Sequence, residues 1–399
     1  MENTSFDVTV AGHLCLDLIP PFQTDRESTE ISELLQPGTL VHMGAMSIST
    51  GGTVSNVGLA MKNFGCSVAF AAKVGADAIG RTIIEMLERS GSAEGIAVAA
   101  GQASSYTVIL CAPGVDRIFM HYPGTNDSFS AKDLDMKSVR KSRLFHLGYP
   151  TLMRSLFEDD GRELIRILKA VKQTGATTSL DISLPDPGSR AGRADWRRIY
   201  ERALPYVDIF LPSVEETFFT LHPREYEQRK RAHGGQELID YVSLDEVRGF
   251  AQEFLSFGCG IGIVKSGHNG WYIRTAEASR ISGMGRAAPG NPGSWAGREL
   301  WCPAFRADKV VGTAGAGDSS IAAFLTALLR NRNIEECLKL ANCAGYLNLR
   351  AADTLSGLGS WQQLQSTYPT LPIREPALCF DGWHWDERMK IWDGELSGS

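Results

Sequence analysis

Short apolar runs rich in β-branched residues alternate along the chain with longer stretches whose apolar positions recur every three to four residues. The runs at residues 6–14, 67–74, 144–147, 178–182, 207–211 and 261–265 predict strands. Between them, residues 160–174 put Leu164, Ile167, Leu168 and Val171 on one helical face. Residues 244–257 and 319–330 read the same way. Regular strand–helix alternation predicts an α/β protein with a mainly parallel central sheet, helices on both faces and right-handed crossovers.

Two kinds of segment interrupt the rhythm. Residues 106–111 and 118–121 flank a Pro113-Gly114 turn and predict a hairpin. With residues 38–49 it makes a small β lid, its strands lying within about 13–50 and 101–125, over the carboxyl ends of the main strands where ligands of open α/β folds bind. The polar stretch 222–236 and the Gly/Pro-rich stretch 283–297 read as surface insertions. One domain is expected over 5–365, followed by a tail, 366–399, that holds Trp383, Trp385 and Trp392.

Composition narrows the partners. A chain of 399 residues with 43% hydrophobic content can bury a large core. A net charge of -6 and no basic run exclude the electrostatic footprint of a nucleic-acid or anionic-membrane binder. No apolar run approaches the roughly 18 residues of a membrane span. Met1-Glu2-Asn3-Thr4 lacks the features of a signal peptide. The eight cysteines are scattered without a C-x-x-C pair, which predicts reduced thiols and a cytoplasmic protein. A small-molecule substrate is expected, with a homodimer possible.

The candidate chemistry lies in Val310-Val311-Gly312-Thr313-Ala314-Gly315-Ala316-Gly317-Asp318, directly before an apolar helix. Small residues there leave the first helical N–H groups open to an anion. Gly312 and Gly317 have P-loop spacing, but Asp318 stands where a P-loop needs lysine. Gly315-x-Gly317 begins a dinucleotide fingerprint, but Ser320 occupies the third glycine position. A third reading is an anion cradle beside an acid that takes a proton from an attacking hydroxyl. A plain glycine-rich helix start is the fourth.

The motif resembles the C-terminal signature of the ribokinase-like (PfkB) family of carbohydrate kinases. Gly51-Gly52-Thr53-Val54-Ser55-Asn56-Val57-Gly58, followed by Phe64-Gly65 and by Val74 to Gly80, resembles its N-terminal signature. The resemblance implies ATP-dependent phosphorylation of a sugar or sugar-like alcohol, with Asp318 as general base and the N–H groups of Gly315, Ala316 and Gly317 as anion hole. It implies substrate contacts at Asp17, Gly51, Gly52, Asn56 and Asn126, with Tyr106 and Phe119 as lid walls or lid core. For ATP it implies Lys265, Gly267, Gly270, Thr313, Asn342 and Gly345. Glu216 would organise Mg²⁺ through water, with Asp181 in support, and His146 reads as a structural histidine. Two positions depart from the family pattern. Ser213 replaces an asparagine three residues before Glu216, and Gly312 replaces an acid, six residues before the base, that helps hold a monovalent cation. A nucleoside kinase and a non-catalytic ligand-binding regulator remain the alternatives.

Overall fold

The computed structural model describes residues 5–23, 30–91, 93–115, 117–351 and 353–394. Met1 to Thr4, which lack signal-peptide features in sequence, positions 24–29 of the first lid span and the last five positions of the tail lie outside the described residues.

Seven parallel strands form the centre of an eleven-stranded sheet: β5 (Ile96–Ala99), β4 (Val68–Gly75), β1 (Phe6–Gly12), β8 (Ser142–Gly148), β9 (Thr177–Asp181), β10 (Ile209–Phe210) and β11 (Ile261–Lys265). Antiparallel β12 (Trp271–Thr275), β13 (Glu299–Cys302), β15 (Ile391–Gly394) and β14 (Trp383–Asp386) extend it. The strands are apolar on both faces because helices cover both. Val8, Val10, Ile261 and Ile263 pack with helices Thr53–Asn63, Ala316–Leu329 and Ile334–Asn348. Ala11 and Val264 face helices Arg154–Lys172, Val214–Leu221 and Leu244–Ser256. The fold is α/β with a mainly parallel central sheet and helices on both faces, as expected, and no helix among the described residues is long and apolar enough to cross a membrane.

A second sheet, in the order β3 (Ser47–Gly51), β2 (Cys15–Ile19), β6 (Tyr106–Leu110) and β7 (Ile118–Tyr122), forms the lid. The first predicted strand ran on to residue 14; β1 instead stops at Gly12 and the chain re-forms as β2, so Asp17 lies in the lid itself. The periodic helix expected over 160–174 lies within Arg154–Lys172, but Asp159, Asp160 and Gly161 adopt left-handed conformations, so its regular turns begin only after Gly161. The stretch 222–236 is largely the helix Pro223–Ala232. The stretch 283–297 is not a mere surface insertion, since Met284, Ala287 and Trp295 join the core. The tail returns to the molecule: Phe305 pairs with Ile373, and β15 pairs with β13.

Candidate active site

The parallel strands point their carboxyl ends at one region, and the sequence places its unusual residues there. β9 ends on Asp181, β11 ends on Lys265, and β8 delivers Gly148 and Tyr149. Gly315, in the left-handed conformation (φ 76°), turns the chain into helix Ala316–Leu329, and a Cβ there would lie 2.6 Å from the Thr354 side chain. Asp318 therefore occupies the first turn, 5% exposed, at the positive end of a buried helix.

Both Asp318 oxygens are held. The Tyr149 hydroxyl donates to Oδ1 at 2.6 Å, and Asn56 Nδ2 donates to Oδ2 at 2.9 Å. Burial pushes the Asp318 carboxyl up, against these two hydrogen bonds and the nearby Lys265 charge. Lys265 Nζ lies 4.0 Å from where a Gly317 Cβ would stand, and donates to Asp181 Oδ1 at 2.7 Å. Burial would lower the lysine's affinity for its proton, but the charges of Asp181, Glu216 and Asp318 outweigh it and raise the Lys265 pKa. Asp181 is pushed up by burial, against the pull of Lys265 and with Glu216 and Asp318 adding to the rise. Glu216 closes a capping box with Ser213, accepting from its backbone N–H at 2.6 Å and fixing the start of helix Val214–Leu221.

The lid side carries Asp17, whose carboxylate oxygen lies 2.2 Å from where a Gly51 Cβ would be; any side chain there would displace it. Its partners are the Cys15 thiol at 3.3 Å and the Thr107 hydroxyl, and burial pushes its pKa up. Gly52 (φ 87°) leads into helix Thr53–Asn63 and leaves no room for a Cβ beside the His13 carbonyl.

Several expected site residues have other tasks here. Asn126 is fully buried, and both ends of its amide bond to the Leu14 backbone, at 3.0 and 3.3 Å, which fixes the β1–β2 junction. Asn342 donates to the Cys302 and Pro303 carbonyls at 3.0 and 3.1 Å, and Gly345 gives the Ser320 hydroxyl room between two helices. Gly267 and Gly270 bound the turn after Lys265, with Gly270 packed on the Cys302 carbonyl. Thr313 Oγ1 accepts from the lid's Arg117 at 2.9 Å. Ala316 N–H already closes a turn on the Thr313 carbonyl at 3.3 Å. His146 is buried between Ser179 Oγ and Thr53 Oγ1 at 3.0 and 3.4 Å, a satisfied structural histidine. Tyr106 stacks at a tilt on Tyr122, while Phe119 is exposed.

Three residues escaped the sequence reading: Tyr149, His13 and His121. His13 is buried, shares a 3.3 Å contact with His121 through their Nε2 atoms, and leaves Nδ1 without a partner. Burial pushes its pKa down to about 3, and that of His121 down as well, so both imidazoles are neutral. His121 is the one imidazole in the otherwise apolar and aromatic strand β7, which was the available signal.

Residues 7–358 match the sequence profile of the pfkB family carbohydrate kinases. The chain belongs to that family. A pfkB family carbohydrate kinase is an ATP-dependent phosphotransferase, and the motif at Gly315 to Asp318 falls within the matched span. Among curated relatives, an uncharacterized sugar kinase of Archaeoglobus fulgidus is 25% identical over 71% of this chain and 92% of its own length. Probable fructokinase-4 of Arabidopsis thaliana is 24% identical over 79% and 86%. In fold, the chain is similar to Arabidopsis thaliana ribokinase complexed with ribose and ATP: TM-score 0.67 and 18% identity, covering 91% of this chain and 98% of that one. Fructokinase with bound ATP from Xylella fastidiosa gives 0.65 and 15%, covering 90% and 97%.

Proposed function

We propose that this pfkB family kinase transfers the γ-phosphoryl group of ATP to a hydroxyl of a sugar, with Asp318 accepting the hydroxyl proton as oxygen attacks phosphorus and ADP leaves. The observation that carries this is a carboxylate fixed by two donors in the first turn of a buried helix, with an ammonium beside the same turn. A carboxylate does not bind phosphate, but it is the right group to take a proton next to donors that hold one. The N–H groups of Gly315 and Gly317 and the helix dipole stabilise charge on the transferring group. The Ala316 N–H joins them by giving up its long bond to Thr313. Lys265 places a positive charge beside them.

On the sugar side, Asp17 accepts hydroxyl hydrogens, and Gly51 and Gly52 keep the space over it clear. Neutral His13 and His121 supply donors and acceptors without charge, which suits an uncharged polyhydroxyl ligand. The turn 266–270, backed by Asn342 and Gly345 on their helix, faces the nucleotide, with Thr313 on the loop opposite.

Mg²⁺ fits the donor set. Three buried or part-buried carboxylates, Asp181, Glu216 and Asp318, face one ammonium, an excess of negative charge that a divalent cation relieves. No three described His, Cys, Asp or Glu side chains converge as direct ligands, so Glu216 and Asp181 would hold the ion through water while phosphate oxygens complete its shell. When bound it supplies charge neutralisation on the phosphates. The test is ADP release over a panel of sugars, polyols and nucleosides with Mg²⁺ present. Turnover with a sugar and none with nucleosides is expected; nucleoside-only turnover, or none with any acceptor, overturns the reading.

A further inference from the structure

Tyr149 is an outlier of the backbone that ends on the reactive acid. It lies one residue past β8 in the left-handed conformation (φ 61°, ψ 42°), which bulky L residues rarely adopt. Pro150 follows, and the residue before a proline is normally driven to extended backbone. The conformation is locked from both sides. Its N–H donates to the Asp181 carbonyl at 3.1 Å, and its own carbonyl accepts from Leu152 at 2.9 Å. What this unfavourable geometry achieves is visible at the other end of the side chain, where the phenol reaches Asp318 Oδ1 at 2.6 Å. Strain of this kind persists where surrounding structure enforces it, and it concentrates at functional sites.

We propose that Tyr149 is a positioning residue for phosphoryl transfer: its hydroxyl, held by the left-handed turn after β8, aims the Asp318 carboxylate at the sugar hydroxyl. This rests on Asp318 being the general base. A carboxylate has about four lone-pair sites. Tyr149 fills one on Oδ1 and Asn56 fills one on Oδ2, and Asn56 is itself steadied by the Thr354 hydroxyl at 3.3 Å. Donors from two places, the turn after β8 and helix Thr53–Asn63, stop rotation of the carboxyl plane, so the remaining lone pairs keep one direction. The phenol remains protonated, because burial and the neighbouring Asp318 charge hold its pKa well above the usual tyrosine range. It donates to the base and does not compete with it for the substrate proton. The other charged groups near Asp318 are Lys265 from β11, whose charge acts on it, and Asp181 from β9 and Glu216 from helix Val214–Leu221, on which its charge acts. None of these donates a hydrogen bond to it.

The experiment compares wild type, Tyr149→Phe and Asp318→Asn in kcat, sugar KM, ATP affinity and the pH dependence of kcat/KM. Tyr149→Phe keeps the ring and is expected to lower kcat about tenfold, with KM and ATP affinity within about threefold. A hydrogen bond to the anionic form lowers a carboxyl's pKa. Its loss therefore raises the Asp318 pKa and moves the acidic limb of the profile to higher pH. Site-specific 3-fluorotyrosine at 149, which preserves shape and donates more strongly, should move the limb the opposite way, and this arm stands even if the phenylalanine variant folds poorly. An inactive Asp318→Asn with Tyr149→Phe unchanged in kcat and pH limb overturns the role of Tyr149 alone. An active Asp318→Asn overturns the general base and this proposal with it.

Discussion

Two carboxylates belong to the candidate site, half-buried Asp17 on the lid and buried Asp318 at the start of a core helix, and their surroundings differ in kind. Asp318 is held by a phenol and an amide, with an ammonium nearby. Asp17 has a thiol and a hydroxyl, and burial is the main influence on its acidity. Strong, fixed donors suit an acid whose direction matters during a reaction. Weak donors suit an acid that exchanges them for substrate hydroxyls. Under the proposed function, the difference assigns the lid acid to binding and the helix acid to chemistry, although burial raises the pKa of both.

The sharpest way to break this contrast is Asp318→Asn. Turnover should fall roughly 10²–10⁴-fold, the range for loss of a general base, with ATP affinity little changed. A variant keeping about half the wild-type kcat would merge the two acids into one class.

Lys265→Met removes the partner of buried Asp181. Breaking a buried pair by deleting one side costs about 3 kcal/mol or more, since the remaining charge is left without compensation. Urea denaturation should show that loss, and adding Asp181→Asn should recover part of it. An unchanged midpoint would mean the pair contributes nothing to the floor of the site.

Asp17→Ala should raise the sugar KM about 10- to 100-fold, the equivalent of about 1.5–3 kcal/mol for hydrogen bonds to a charged group, and leave ATP affinity alone. Equal loss of ATP affinity would contradict its placement on the lid. The smallest effect is expected from cations. With Gly312 offering no carboxylate, exchanging K⁺ for a bulky organic cation at constant ionic strength should change activity less than about tenfold, and a larger stimulation would show that backbone carbonyls alone make a cation site.

The architecture was legible because it depends on local periodicity: buried parallel strands read as apolar runs and their helices as 3.6-residue repeats. The Gly315 to Asp318 turn was legible because a run of small residues directly before an apolar helix stands out in sequence. What stayed hidden depends on distant pairing. Trp383, Trp385 and Trp392 show no strand pattern by themselves, and β14 and β15 become strands by pairing with each other and with β13. Tyr149 reads as an ordinary aromatic after a strand, because neither its left-handed backbone nor its bond to Asp318 leaves a local trace. Asn126 shows the complementary case: a polar residue in a suggestive loop bonds through both ends of its amide to the backbone of Leu14, which the sequence does not reveal.

The most direct measurement of the central claim follows phosphorus in the wild-type enzyme with ATP, Mg²⁺ and each sugar by ³¹P NMR. The account predicts that the γ-phosphate signal disappears as ADP and a sugar monophosphate grow in equal amounts. ADP accompanied only by inorganic phosphate, or a spectrum that does not change with any sugar, would contradict it.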